Sequence, residues 1–162
     1  MLRMAVCDKE EETCSLIKAL AEESIGCKVW TFHSDTELLE SKEKYDILLL
    51  DIGNGEPTGI ETARKIRRCY DPILIFIAEG KKHVLDVFDV EAFHYLLKPI
   101  DFEKLKEAVQ RAAESVAKEK KIQDLRQESI KWNQNRKILQ QDIWKNVLKN
   151  GFSEEKFCET AA

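Results

Sequence analysis

The chain has 162 residues, 43% hydrophobic and 35% charged, with six Gly and three Pro. This excludes disordered, collagen-like and low-complexity classes, and leaves room for one domain of ordinary size plus an appendage of a few turns. The net charge of -4 is unevenly spread: residues 1–117 carry -7, 118–149 carry +5 and 150–162 carry -2, so the chain changes character near residue 118. No apolar run approaches the roughly 20 residues that span a bilayer. The stretch from Met1 to Glu12 turns acidic before a signal-peptide core can form. A cytoplasmic protein without membrane association is therefore expected. The five cysteines (Cys7, Cys14, Cys27, Cys69, Cys158) are scattered and never spaced C-x-x-C, which argues against a disulfide framework or a zinc site and for reduced thiols.

In chain order, Leu2–Cys7 is a short apolar run ending at Asp8, Cys27–Phe32 is β-branched and aromatic, and Tyr45–Leu50 is almost unbroken apolar sequence ending at Asp51. Ile73–Ile77 and Ala92–Leu97 complete five expected strands. Between them, residues 11–24, 34–42, 58–69, 81–90 and 101–117 have helical spacing. Alternating strands and helices, with strands apolar along their whole length, predict a parallel sheet covered by helices on both faces. Residues 118–149 read as a helix continuing from the fifth, with Gly151 as its terminator. Ile122, Leu125, Trp132, Leu139 and Ile143 fall on a and d places, interrupted by Ser129 and Arg136. Ile138, Leu139, Ile143, Trp144, Val147 and Leu148 are apolar over more than one face, and dimerisation through this helix is expected. Its positive charge is interleaved with acids and carries no DNA-reading pattern. DNA binding is not expected of this chain unless an output domain is missing. The organisation expected is thus a sheet domain over 1–117, a helical linker or dimerisation extension over 118–150 and a polar tail over 151–162.

In such a sheet, ligands sit at the carboxyl ends of the strands. There the sequence places Asp8, Lys9 and Glu10 after the first strand, Asp51 after the third, Ala78 and Glu79 after the fourth, and Lys98 with Pro99 after the fifth. An ionised carboxylate ending a buried strand needs a partner. A hard divalent cation such as Mg2+, held by Asp8, Asp51 and a backbone carbonyl, would supply one. The chemistry such a site supports is phosphoryl transfer to a carboxylate: Asp51 attacks, and the metal and the compact Lys98 ammonium neutralise the transferred oxygens.

Asp8 after AVC, Asp51 in LLLDIGNGEPTGIETARKIR, and FDVEAFHYLLKPIDFEKLKEAV closing the domain resemble the receiver domain of bacterial two-component response regulators, in wording most like receivers of regulators with LytTR-type output domains. The resemblance covers residues 1–117. It implies a flavodoxin-like (βα)5 fold of strand order 2-1-3-4-5, phosphotransfer from a partner histidine kinase to Asp51, and Mg2+ held partly through the Gly53 carbonyl. It also implies a cis Lys98–Pro99 peptide, a switch role for the aromatic Tyr95, and an output face on the fourth and fifth helices and strands through which a homodimer would form. The module is expected to signal rather than to act as an enzyme. The departures from the family pattern are specific. Lys9 stands where receivers carry a second, metal-ligating acid, with Glu10 as a candidate to help; Ala78 replaces the switch hydroxyl; and Gly55 replaces a loop proline. They define a second reading, a degenerate receiver that serves as a phosphorylation-independent interaction or dimerisation module. A haloacid-dehalogenase-type phosphatase needs an acid two residues after Asp51, where this chain has Gly53, and the glycine-rich dinucleotide pattern is missing after the first strand. His33, His83 and His94 read as structural or surface residues, and Cys7 as core packing.

Overall fold

Each strand is apolar on alternate positions of both faces, and that pattern sets the architecture. In the computed structural model, which describes residues 1–53 and 58–149, the elements alternate. They are β1 (Arg3–Cys7), α1 (Glu11–Ile25), β2 (Lys28–Phe32), α2 (Asp35–Glu40), β3 (Ile47–Asp51), α3 (Gly59–Arg67), β4 (Ile73–Ala78), α4 (Val84–Asp89), β5 (His94–Leu97) and α5 (Phe102–Lys149). All five strands are parallel, in the order β2-β1-β3-β4-β5, which is the doubly wound arrangement the sequence led us to expect. Because successive side chains point to opposite faces, β3 sends Ile47 and Leu49 into one core layer with Ile17 of α1 and Leu105 and Val109 of α5. It sends Leu48 and Leu50 into the other, with Leu38 of α2, Ile60 and Ile66 of α3 and Val87 of α4.

The helix ends show why the boundaries fall where they do. Gly26, left-handed at φ 60°, ends α1 and returns its amide to the Glu22 carbonyl. Ser34 caps α2, and Thr58 with Glu61 forms a reciprocal capping box on α3. The helices α2 and α4 are shorter than their sequence spacing suggests. Just beyond them Lys42 and Glu91 adopt left-handed backbone (φ 52° and 54°), a conformation uncommon for side chains other than glycine.

Met1–Ala117 form one compact unit and Lys118 begins a second. Within the first unit, α5 buries Leu105, Ala108, Val109, Ala112 and Val116. In the described part of the second, Ile122, Leu125, Trp132, Leu139 and Ile143 are all exposed. Among the described residues no helix is long and apolar enough to cross a membrane. The expectations for Gly55, Cys158, the Gly151 terminator and the 151–162 tail lie outside the described residues.

Candidate functional site

Sheet register brings the strand ends together. Cys7 pairs with Leu50, and Asp51 with Ile77, so the residues that follow β1 and end β3 share one edge. The Ile52 amide donates to the Ile77 carbonyl (2.9 Å) and the Lys98 amide to the Ala78 carbonyl (2.8 Å), which anchors both site-bearing turns to β4. The Lys98–Pro99 peptide is cis. At the start of α3, Gly59 lies against the Asp51 backbone. A Cβ there would overlap the Asp51 carbonyl oxygen and stand 3.2 Å from its carbon and 3.3 Å from Ile52 Cα. Only glycine fits that approach without displacing the end of β3.

The Lys98 ammonium bridges two carboxylates, 3.3 Å from Asp51 Oδ1 and 3.5 Å from Asp8 Oδ2. The Asp8 side chain is 1% exposed and that of Asp51 13%. Asp8 Oδ1 accepts the Glu10 amide at 2.9 Å, whereas its buried Oδ2 has no hydrogen-bond partner. Burial pushes the Asp51 pKa up; the Asp8 charge adds to this, and Lys98 and the Gly53 amide only partly oppose it. Burial works to lower the Lys98 pKa, but the Asp51 and Asp8 charges outweigh it and hold the ammonium firmly protonated.

Beside this pair lies a cavity of about 110 Å³ lined by Asp8, Lys9, His33, Asp35, Asp51 and Gly53, among others. Gly53 there has left-handed backbone (φ 61°), which favours glycine. Of these residues, Asp35 escaped the sequence reading and His33 was given a structural or surface role. His33 Nδ1 is 3.3 Å from the Asp8 carbonyl oxygen, and Asp35 Oδ1 is 3.9 Å from the Cys7 thiol. Both follow β2, whose carboxyl end meets the same edge, so the rule that found Asp8 and Asp51 could have found them. Burial raises the Asp35 pKa, and Lys9 is among the groups that pull it back. Cys7 is 5% exposed within the core layer facing α2, α3 and α4, and burial pushes its thiol up.

Glu10 does not join this cavity. Its carboxylate accepts the Thr13 hydroxyl at 3.0 Å, and it lines a different hollow, with Thr13, Lys98 and Pro99. Its candidacy as a metal donor is corrected accordingly, because its side chain is tied back along α1. Ala78, 4% exposed, borders a third hollow with Asp51, Gly53 and His83. The Tyr95 hydroxyl donates to the Gly80 carbonyl in the turn after β4, and His83 pairs with Asp86 at 3.1 Å. His94 lies on β5 outside the cavity, and burial with the Arg111 charge lowers its pKa.

As for the Mg2+ that the sequence implies, its expected donors are the Asp8 and Asp51 carboxylates and the Gly53 carbonyl, and the Asp35 carboxylate lines the same cavity. Lys98 already engages Asp8 and Asp51, and Lys9 brings a second ammonium to the same cavity. Among the described residues no three His, Cys, Asp or Glu side chains group to hold a metal ion. This set does not fit a tightly resident divalent cation.

The five-stranded order, the helices on both faces and the carboxylate–ammonium edge define the CheY-like class of doubly wound α/β domains. The chain belongs to the response regulator receiver domain family, whose model matches residues 4–110. It is 29% identical over 87 residues to the sensory transduction protein LytR of Staphylococcus haemolyticus, covering 53% of this chain and 34% of that protein. It is 31% identical over 93 residues to the transcriptional regulatory protein YpdB of Escherichia coli K12, covering 56% and 37%. The response regulatory domain of mrkE from Klebsiella pneumoniae superposes with a TM-score of 0.67 at 21% identity, covering 72% of this chain and 99% of that one. The matches span about a third of the length of these curated relatives. Receiver domains are signalling modules of two-component systems, phosphorylated by histidine kinases.

Proposed function

We propose that this chain accepts a phosphoryl group on Asp51 from a partner histidine kinase in the cytoplasm and changes its interaction surface in response. The observation that carries the reading is the Lys98 ammonium held 3.3 Å from Oδ1 of Asp51, a carboxylate that lines a cavity. It leaves the carboxylate oriented and a cation in place for the incoming oxygens. In the step, an Asp51 carboxylate oxygen attacks phosphorus and a new P–O bond forms. The P–N bond to the kinase imidazole breaks, and the imidazole leaves with the electron pair and takes up a proton. Asp8 holds Lys98 from the buried side; Ala78 offers no hydroxyl to the product; and Tyr95, tied to the turn after β4, is positioned to report movement of that turn.

The output surface in this reading is a second copy of the chain, met through Leu85 and Phe88 of α4 with Leu97 of β5, or through the exposed apolar residues of α5 beyond Lys118. Incubation of the full chain with acetyl phosphate tests the acceptor role. Intact-mass analysis should show gain of one phosphoryl group in the wild type and none in Asp51→Asn; absence of the adduct at saturating reagent overturns the reading.

A further inference from the structure

We propose that Lys9 takes the charge-neutralising role of a divalent cation in this site, so that Asp51 is loaded without metal. The inference rests on the acceptor reading above and concerns how the charge is met. Two lysines from different strand ends bear on the carboxylate. Lys98 reaches it from β5, and Lys9, two residues beyond β1, lines with Asp35 the cavity onto which Asp51 opens. Lys9 is exposed, and its charge acts on Asp35, which lines the same cavity.

The charge balance favours this arrangement. Asp8, Asp35 and Asp51 line the cavity with Lys9, and Lys98 pairs with Asp8 and Asp51, which leaves the group one negative charge in excess. A phosphoryl group brings roughly one and a half to two negative charges at neutral pH. Its oxygens therefore need cations close by. Two ammoniums, one on Lys98 and one on Lys9, supply the two positive charges of one divalent ion, at donor atoms suited to single phosphoryl oxygens. A divalent ion at Asp51 would be repelled by both ammoniums, and the Asp8 and Asp51 carboxylates it would take already face Lys98. With acetyl phosphate, the Asp51 oxygen attacks phosphorus, the P–O bond to the acetyl group breaks and acetate leaves with the electron pair. No metal-bound species enters the balance.

The test uses the full chain with acetyl phosphate in excess EDTA or in about 10 mM Mg2+, roughly tenfold above the weakest dissociation constants of oxygen-donor sites. Intact mass reads the adduct, and Asp51→Asn serves as the control. The expected result is adduct in EDTA within about threefold of the amount formed with Mg2+, and at least a tenfold loss in EDTA for Lys9→Asp that Mg2+ restores. Mn2+ binding, read by electron paramagnetic resonance, gives a result independent of phosphotransfer: Lys9→Asp should bind at least tenfold more tightly than the wild type. Adduct in the wild type only with Mg2+, or equal Mn2+ affinity in the two proteins, overturns the role of Lys9 and leaves the acceptor reading standing. Adduct under neither condition overturns both. The exposure of Lys9 allows the substitution without disturbing the core, and thermal melting of the variant should match the wild type within a few degrees; Lys9→Gln provides the neutral intermediate.

Discussion

Replacing Lys98 by Met keeps the stem that packs at the edge of β5 and deletes the charge between two carboxylates. At separations of 3.3 and 3.5 Å and an effective dielectric of about 20, each attraction is about 5 kcal/mol before the cost of desolvating the ions. Removing one partner of such a buried arrangement costs about 3–5 kcal/mol net, because the remaining charge is left uncompensated. The Lys98 side chain is 20% exposed and those of Asp8 and Asp51 less, so solvent screening does little to reduce this. The loss should depend on pH with a definite sign. In the variant, burial and the Asp8 charge act on Asp51 without opposition from Lys98, so its pKa rises further above its ordinary value. A raised carboxyl contributes stability that is complete below about pH 3.9, the unfolded value, and is lost as pH rises through the folded one. The deficit of Lys98→Met against the wild type should therefore be largest near pH 8 and shrink toward pH 4.5 as the site takes up a proton. Urea denaturation at the two pH values measures it. A deficit of equal size at both, or one below about 1 kcal/mol at pH 8, would refute the electrostatic account of Lys98.

Three further outcomes follow from the same geometry. Asp51→Asn removes a carboxylate whose pKa burial and Asp8 hold up. It should therefore raise stability at pH 7.5 by about 1.4 kcal/mol per pH unit of that displacement, with the gain vanishing near pH 4 in thermal melts; a variant less stable than wild type at pH 7.5 would contradict the sign. Gly59→Ala forces a methyl against the Asp51 carbonyl and should cost about 1–3 kcal/mol in urea denaturation, together with slower acetyl phosphate loading, whereas wild-type values in both would show that α3 can shift freely. Size-exclusion chromatography with light scattering of the full chain should give a dimer, and Leu139→Glu with Ile143→Glu, both exposed in the second unit, should convert it to monomer if the helix is the interface; a dimer unchanged by the pair assigns the interface to α4 and β5.

The sheet was legible in the sequence because its strands are apolar on both faces. Ile47 to Leu50 can serve both core layers only in a parallel sheet covered on both sides. The position of Asp8, Asp51 and Lys98 was legible for the same reason: the ends of parallel strands lie at one edge, whatever the details of packing. What escaped depended on the direction of a side chain or on a backbone angle. Glu10 lies two residues after Asp8, yet its carboxylate runs back to Thr13. Asp35, 27 residues after Asp8, lines the same cavity because β2 ends beside β1. The ends of α2 and α4 are set by Lys42 and Glu91, residue types with no particular preference for left-handed backbone.

Lys9 belongs between these two cases. Its place after β1 was legible, and so was its conflict with a metal bound by Asp8 and Asp51. Whether an ammonium there spoils the site or completes it depends on which wall it occupies. Because Lys98 already spans Asp8 and Asp51 from β5, a second cation on that wall would only compete for the same carboxylates. On the cavity side, where it shares the lining with Asp35 and Asp51 and its charge acts on Asp35, it adds positive charge beside a group carried on Asp51. The same substitution that weakens a divalent cation's hold on the site thereby strengthens the site's hold on an anion, and the sequence alone does not separate the two effects.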